Sequence, residues 1–320
     1  MAKIKLKRAD AVRTKLTKEE LKRINQLYQD LYRSVQGQIA KFEQSAGVSA
    51  SLRKTQLEQL KFILAERISQ VNKELENVYK SSMKEMASAV SEDMADFLKA
   101  QGLIEVSTFF ANVPNDVVNM ILTGDIYDRK WALSNSIWKH TKKAKDDIYK
   151  IVAEGVAGNK DTLSIARDLE KYVNPSAKKP WDWNKVYPGV NTKIDYNAQR
   201  LARTLVAHAY QEAIIRTTKN NPFISGIEWH SALIPGRTCQ LCRDRDGKVY
   251  TPDTLPLDHP NGLCTMIPVT LPLSQVGDRL AAWAHGKKDP SIDRFAQTLV
   301  GTGNTESTSK RFMECISLII

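Results

Sequence analysis

The chain has 320 residues, 42% of them hydrophobic, which suffices for two domains with their own cores and excludes an intrinsically disordered protein. A formal net charge of +11 favours an anionic neighbour, such as DNA, RNA, an acidic membrane or an acidic protein surface. No window approaches the roughly 18 apolar residues of a membrane span, and the N-terminus lacks the apolar core of a signal peptide. With only four cysteines, we expect a protein of a reducing cytoplasm, or of a particle assembled there, without a membrane partner.

The N-terminal stretch, residues 1–23, is dense in Lys and Arg and has only Asp10, Glu19 and Glu20 as acidic residues. This composition predicts a basic arm that leads into a helix. Thr17 and Glu20 have the spacing of a capping box, in which the Thr hydroxyl accepts a hydrogen bond from a free backbone N–H. We therefore expect the first helix to begin at Thr17.

Two long apolar runs follow, with steps of three and four residues that place the side chains on one face of a helix. The first run comprises Leu21, Ile24, Leu27, Tyr28, Leu31, Tyr32, Val35 and Ile39. The second runs from Leu57 to Phe97, with Gly47 marking the turn before it and Gly102 its end. The pattern predicts an antiparallel helical hairpin in a first domain, residues 1–110, whose second arm is one long helix or two collinear ones.

Residues 111–222 are predicted to form a helical middle domain that ends at Pro222. The expected helices are 116–122, 126–154, one from Asp161 or Thr162 to Val173, and 196–220, with a loop over 175–194. A basic cluster lies on the second of these helices and comprises His140, Lys142, Lys143 and Lys145. It is a candidate nucleic-acid patch, although a solvated helix face is the more common meaning of such a cluster.

After Pro222 the composition changes to Gly, Pro, Thr and short β-like pieces at 226–230 and 248–250, which predicts a small α+β module over 223–272. Residues 273–320 are predicted to be a partly disordered C-terminal extension, because its 301–309 segment is low in complexity. The apolar end is either a docking segment or a frayed terminus. The predicted fold class is therefore mainly α, with a long N-terminal helical hairpin, a helical middle domain and a small α+β module.

Three of the four cysteines fall in the module, in the pattern Cys239-x2-Cys242-x16-His259-x4-Cys264. Two thiols separated by two residues in a tight turn can both reach one ion at about 2.3 Å. Three thiolates and an imidazole complete a closed tetrahedral zinc site, which has no open position for substrate and fastens loops with little core of their own. We predict a structural zinc ion as the cofactor, a zinc-stapled module, and no catalytic residue.

The same residues leave alternatives open. His230 is near enough in sequence to replace His259 as a ligand, and Cys315 is expected to be a free thiol. The pair Cys239 and Cys242 would also suit a redox dithiol, although the βαβ context typical of such a pair is not visible in the sequence. A further alternative is that the cysteines are unligated small apolar residues beside a surface histidine.

Two enzyme classes use similar residues. A nucleobase deaminase needs His-x-Glu ahead of Pro-Cys-x-x-Cys, whereas here Pro235 stands four residues before the first cysteine and the upstream order is Glu228-Trp229-His230, so that class is excluded. Asp258-His259 is similar to the Asp-His of HNH-type nucleases, in which the histidine activates water near a metal. That role would remove His259 from the zinc ligands. We therefore predict a protein that is not an enzyme, with an HNH-like nuclease as an alternative.

A series of motifs follows a familiar order along residues 125–270. It comprises Arg200-Leu-Ala-Arg203-Thr204, Trp229, Arg237-Thr238-Cys239-x-x-Cys242, Asp246-Gly247-Lys248, Pro256, and His259-Pro260-Asn261 through Cys264. The series resembles the minor head protein, or head morphogenesis protein, family of tailed bacteriophages, typified by the phage Mu F-like proteins. The C-terminal portion is the specific part of the resemblance, because residues 1–110 carry no signature beyond their periodicity.

The chain departs from the family pattern at three places. Arg203-Thr204-Leu205 replaces the usual Arg-Thr-Glu, and the acidic residue common before Arg-Thr-Cys is replaced around Pro235-Gly236. The usual His-Pro-x-Cys-Arg-Cys ending has lost its first cysteine in the segment from His259 to Cys264. Four candidate zinc ligands remain. The contacts that the acidic residues make in the family are not expected in this chain.

The resemblance implies a structural virion component, a minor capsid protein located inside the head. It is expected to associate with the portal protein within the procapsid and to assist head morphogenesis, with capsid or scaffold proteins as further neighbours. The basic arm would give sequence-independent, salt-sensitive contacts with double-stranded DNA during packaging or ejection. A zinc-containing nucleic-acid-binding protein with no portal partner is the alternative.

Overall fold

The structure is a computed structural model, and it describes residues 2–43, 50–103, 110–127, 133–157, 168, 194–236, 238–260 and 262–300. Its elements are helices α1 (Lys7–Glu43), α2 (Ala50–Ala100), α3 (Val113–Thr123), α4 (Leu133–Ala157), α5 (Ile194–Thr218), α6 (Gln240–Arg245), α7 (Leu273–Ala284) and α8 (Pro290–Val300), a 3₁₀ turn (Asp125–Tyr127), and strands β1 (Ile224–His230), β2 (Val249–Tyr250) and β3 (Thr265–Thr270). The described chain is thus mainly helical with a small sheet late in the sequence, which confirms the predicted fold class. Among the described residues, none of the helices is long and apolar enough to cross a membrane.

The chain divides into two compact units. The first joins Met1–Leu16, Ser81–Ile121 and Arg203–Ile320, and the second joins Thr17–Lys80 and Leu122–Ala202. Both units therefore combine segments that are distant in the sequence, whereas the predicted domains are continuous. The predicted division into 1–110, 111–222, 223–272 and 273–320 stays a prediction.

Helix α1 begins at Lys7, so the predicted start at Thr17 is wrong. Its first backbone N–H groups are capped from helix α2 instead of by a neighbouring hydroxyl. The Asp93 carboxylate accepts hydrogen bonds from the backbone N–H groups of Arg8 at 3.3 Å and Ala9 at 2.9 Å. A cap that comes from a distant helix satisfies the free N–H groups as well as a local one, but it leaves no capping-box pattern at the helix start.

The residues before α1 are extended and pair with the sheet. The backbone N–H of Ile4 donates to the Pro268 carbonyl at 2.9 Å, and Lys3 forms an antiparallel bridge with Val269. The Lys3 ammonium also lies 2.6 Å from the Glu228 carboxylate on β1. The beginning of the predicted basic arm is therefore held at the edge of the sheet.

Helix α2 is one continuous helix, which decides between the two interpretations of the second apolar run. Within the first unit, the start of α1 runs antiparallel to the end of α2, because Arg8 pairs with Asp96 at 3.2 Å and Lys15 with Glu85 at 3.5 Å. The buried face of this part of α2 consists of Met83, Met86, Ala87, Val90, Met94 and Leu98. The hairpin arrangement is thus present in this unit.

Helices α3 and α5 confirm the predicted helices at 116–122 and 196–220. The described part of the predicted helix at 126–154 is α4, from Leu133 onward, whereas Asp125–Tyr127 form a separate 3₁₀ turn. Gly102 has a φ of 91° and ends α2 as predicted, since glycine adopts this conformation without steric cost. The predictions outside the described residues are the turn at Gly47, the helix over 161–173 apart from Asp168, most of the loop over 175–194, and the 301–320 tail.

The sheet has three antiparallel strands in the order β2-β1-β3. Strands β1 and β2 confirm the two predicted β-like pieces, and β3 is an element that the sequence did not predict. Gly226 allows β2 to approach, because a Cβ at that position would lie 2.9 Å from the Tyr250 carbonyl oxygen. His230 lies opposite Thr265, so the chain segments just beyond these two residues meet at the same end of the sheet.

The predicted C-terminal extension begins with two packed helices, α7 and α8. Their buried side chains are Val276, Leu280, Ile292, Phe295 and Ala296. Asp289 caps α8, because its Oδ1 accepts hydrogen bonds from the backbone N–H groups of Ser291 at 3.1 Å and Ile292 at 3.3 Å. Residues 273–284 and 290–300 are therefore helical, which the low complexity of the residues after them did not indicate.

Candidate metal centre

The predicted metal ligands meet at one end of the sheet. Cys239 is the N-terminal cap residue of α6, Cys242 lies in its first turn, and Cys264 directly precedes β3. The donor atoms of Cys239, Cys242 and His259 all lie within 4.8 Å of one another. Those of Cys242, Cys264 and Asp258 do so as well, and Cys242 belongs to both groups. These five residues therefore lie close enough together to hold a metal ion.

Burial divides the five donors into an inner and an outer set. The inner donors are Cys242, Asp258 and Cys264, with 1%, 3% and 5% of their surface exposed. The outer donors are Cys239, which is exposed, and His259, which is half-buried. An ion at this centre would therefore be reached from solvent past Cys239 and His259.

Asp258 is a candidate ligand that the sequence reasoning missed. Its Oδ1 accepts a hydrogen bond from the backbone N–H of His259 at 2.8 Å. Its Oδ2 is buried and has no hydrogen-bond partner within the part of the chain that the structure describes. Its position next to His259 is the signal in the sequence, but the same pair is also typical of nuclease motifs.

Helix α5 holds the backbone of Asp258 on both sides. The N–H of Asp258 donates to Gln211 Oε1 at 2.9 Å, and its carbonyl oxygen lies 3.0 Å from His208 Nε2. Gln211 also donates from Nε2 to the Pro256 carbonyl at 2.7 Å. The loop that carries the inner carboxylate is thereby fixed to a buried helix and does not depend on its own short-range contacts.

A hydrogen-bonded network around Ser231 joins α6 to β1. The Ser231 hydroxyl donates to the Cys242 carbonyl at 2.7 Å, accepts from Trp229 Nε1 at 3.2 Å, and lies 3.5 Å from the Cys264 sulfur. The backbone N–H of Ser231 donates to Asp246 Oδ1 at 2.7 Å. Groups of this kind orient metal ligands from outside the coordination sphere.

Helix α1 also reaches the centre. One guanidinium nitrogen of Arg13 donates to the Cys264 carbonyl at 3.0 Å, and the guanidinium lies 5.1 Å from the centroid of the Tyr210 ring. The Tyr210 hydroxyl donates to the Met266 carbonyl at 3.0 Å. The chain around Cys264 is therefore held by an N-terminal helix and by α5, a contact that local spacing does not predict.

Burial disfavours the charged forms of two inner donors, Cys242 and Asp258. A hydrogen bond from the backbone N–H of Cys242 lowers the pKa of the Cys239 thiol. Burial raises the pKa of Cys242, and burial also raises the pKa of Asp258 more than the charges of His259 and Arg13 lower it. A bound cation would stabilise the charged forms of Cys242 and Asp258, because its charge compensates for the hydration that burial removes.

The other sequence candidates lie elsewhere. His230 is exposed at the end of β1, with its Nδ1 3.9 Å from Asp246 Oδ1, and it belongs to neither group of donors among the described residues. In the basic cluster, Lys143 pairs with Asp147 at 3.4 Å and Lys145 lies 3.9 Å from Asp146. The described part of that cluster thus has acidic neighbours on its own helix. Cys315 lies outside the described residues.

Comparisons of this chain with protein-family models, with curated proteins and with solved structures find no match. The resemblance to minor head proteins therefore stays a prediction from the motifs quoted above.

Proposed function

We propose that this chain is a structural minor head protein of a tailed phage or prophage, whose α+β module is held together by one zinc ion. The observation that carries the proposal is the meeting of Cys239, Cys242 and Cys264 with the Asp258-His259 pair. These residues come from the part of the motif series that is most specific to the minor head family. The proposed role of the ion is structural.

Zinc suits the donors best. Thiolates are soft ligands that select zinc over magnesium or calcium. With zinc–sulfur bonds of about 2.3 Å, tetrahedral geometry places sulfur atoms about 3.8 Å apart, so the donors of each group, which lie within 4.8 Å of one another, need only a small movement to close on an ion. The fourth ligand is either Asp258 or His259. The sequence motif indicates His259.

A structural role fits the module better than a catalytic one. Five protein donors are available for the four positions of tetrahedral zinc, which leaves no position for water or substrate. The sheet includes β2, a strand of two residues, so an ion that joins α6, the following loop and β3 adds stability that so small a sheet does not have.

The proposed partner is the portal protein, with capsid or scaffold proteins as further neighbours. Support for a protein partner comes from large apolar side chains that are exposed on the module, namely Leu233, Ile234, Leu241, Leu257 and Leu263. The net charge of +11 also supports non-specific contact with double-stranded DNA. The virion is the proposed location, after assembly in the host cytoplasm.

The test is co-expression of the full chain with the portal protein encoded beside it, followed by size-exclusion chromatography in moderate salt. We expect the two proteins to elute together with one zinc ion per copy of this chain. Clean separation at several salt concentrations would contradict the proposal. If the separated chain then bound duplex DNA with a steep salt dependence, the alternative of a zinc-containing nucleic-acid-binding protein would replace it.

A further inference from the structure

We propose that the carboxylate of Asp258, and not the imidazole of His259, is the fourth ligand of the ion, beside the thiolates of Cys239, Cys242 and Cys264. This inference rests on the proposed zinc staple and specifies its ligand set. Asp258 and His259 are adjacent in the chain, so both can reach the centre. Their burial and their hydrogen bonds decide between them.

The Asp258 carboxylate lies on the inner side of the centre. One of its oxygens is within 4.8 Å of the sulfur atoms of Cys242 and Cys264, and all three residues are buried. Oδ2 is buried and has no hydrogen-bond partner in the described part of the chain. The backbone N–H of Asp258 donates to Gln211, and its carbonyl oxygen lies next to His208 Nε2. These two contacts hold Asp258 against α5. The side chain is thus kept inside the centre.

His259 has other ways to satisfy its polar atoms. Its side chain is half-buried, and its Nδ1 lies 3.1 Å from the Pro260 carbonyl oxygen. An imidazole in this position keeps access to water when it binds no metal. Its backbone N–H already serves the centre, because it donates to Asp258 Oδ1, as expected for a group that orients a ligating carboxylate.

The difference in solvation decides which donor is left out. Tetrahedral zinc takes four of the five donors, so one remains without metal. Leaving out Asp258 keeps a buried carboxylate oxygen without a partner, which is among the most unfavourable arrangements for a polar group. Leaving out His259 exposes an imidazole that water can solvate. The centre therefore has the lower free energy with Asp258 bound.

The structure also leaves room for this carboxylate. A Cβ at Gly262 would overlap the Asp258 side chain, so the absence of a side chain at Gly262 makes the space that the carboxylate occupies. The backbone N–H of Gly262 donates to the His259 carbonyl at 2.9 Å, which closes the turn around Asp258. The turn after the Asp258-His259 pair thus accommodates the acidic side chain.

The test begins with X-ray absorption at the zinc edge of the full wild-type chain loaded with one zinc ion. We expect three sulfur ligands and one oxygen ligand, without the outer-shell scattering that a bound imidazole ring produces. In parallel, cobalt replaces zinc in the wild type, in Asp258→Asn and in His259→Gln. We expect Asp258→Asn to shift the ligand-field bands and to weaken cobalt binding more than about tenfold, and His259→Gln to keep the wild-type spectrum.

The control is Asp244→Asn. Asp244 is exposed on α6 and accepts a hydrogen bond from Gln240, so its variant should keep both the spectrum and the affinity. Imidazole scattering in the wild type, or a shifted spectrum in His259→Gln only, would overturn the inference and leave the zinc staple intact with the ligands of the sequence motif. The scattering is measured on the wild type, so it decides the question even if a variant fails to fold. A wild-type chain that takes up neither zinc nor cobalt at one ion per chain overturns the staple itself.

Discussion

Gly262 shows how a residue without functional atoms can shape a candidate metal centre. It lies between His259 and Cys264, and any side chain there would displace the Asp258 carboxylate or open the turn. Gly277 on α7 is a suitable comparison, because a Cβ there would meet no other atom within 4 Å. The two glycines therefore differ in whether the space around them is already occupied.

We expect Gly262→Ala to weaken zinc binding by about 10- to 100-fold, the usual loss when support around a ligand is removed. Gly277→Ala should leave the affinity unchanged and raise the free energy of unfolding by about 0.5–1 kcal/mol, since alanine favours a helix more than glycine does. Competition with a chelator measures the affinities, and thermal unfolding measures the stability. Equal zinc affinities for the two variants would show that the turn around Asp258 does not support the centre.

At the level of single residues, local spacing was sufficient for part of the centre. The Cys-x2-Cys pattern and the later His259 and Cys264 indicated a metal site, because ligands close in sequence can meet in a tight turn. Asp258 was overlooked, since a carboxylate becomes informative only when its burial and missing partner are known. Ser231 could not be predicted either, because its role depends on the meeting of β1, α6 and the chain before β3.

At the level of elements, the starts of α1 and α8 are capped in two different ways. Asp93 caps α1 from another helix, 84 residues away from Ala9. Asp289 caps α8 locally and also binds Arg279, whose guanidinium nitrogens lie 3.1 Å and 2.8 Å from its Oδ2. Both carboxylates satisfy N–H groups that an isolated helix leaves free. Of these two residues, only Asp289 directly precedes the helix that it caps.

The Asp289 cap predicts a dependence of stability on pH. Burial raises the pKa of Asp289, but hydrogen bonds from Arg279 and from the backbone N–H groups of Ile292 and Ser291 outweigh it, so the pKa lies below its ordinary value of 3.8. A pKa that is lowered on folding means that the ionised group stabilises the fold above the unfolded-state pKa. This stability is lost as the pH falls through the folded-state value.

We therefore expect Asp289→Asn, whose amide still caps α8 but no longer pairs with the Arg279 charge, to lower the free energy of unfolding by roughly 0.5–1 kcal/mol at neutral pH, and by less as the pH falls below about 4. Denaturant unfolding of both proteins across this range measures the difference. Asp278→Asn, at an exposed position of α7, is the control and should match the wild type at every pH. A difference that stayed constant down to about pH 3 would contradict the assignment of the stability to the ionised carboxylate.

At the level of the whole molecule, the α+β module depends on distant parts of the chain. Residues 2–4 pair with β3, and Arg13 of α1 holds the Cys264 carbonyl. Contacts between residues so far apart in sequence form late, because they close long loops. A metal ion that joins α6, the loop at Asp258 and the chain before β3 would stabilise the module once these segments have met.

We expect the Cys242→Ser variant, and the wild type after chelation, to lose the folded state of the module and to be cleaved by protease within residues 231–272. Cys242 is the donor common to both groups, so its loss breaks both. Zinc content and limited proteolysis with mass spectrometry are the measurements. Cys315→Ser should keep one zinc ion per chain and the wild-type resistance, since this cysteine lies outside the motif. A metal-free protein with the protease resistance of the zinc form would contradict the staple.

Local patterns were sufficient for the helical class, the extent of α5, two of the three strands, and four of the five donors. These features depend on the spacing of neighbouring residues along a helix, a strand or a tight turn, which is visible in the amino-acid order. The start of α1, strand β3, the helices after residue 272 and the place of Asp258 were decided by tertiary structure. Each of them depends on a partner far away in the chain or on the removal of water from a side chain, and both conditions exist only after the segments have packed.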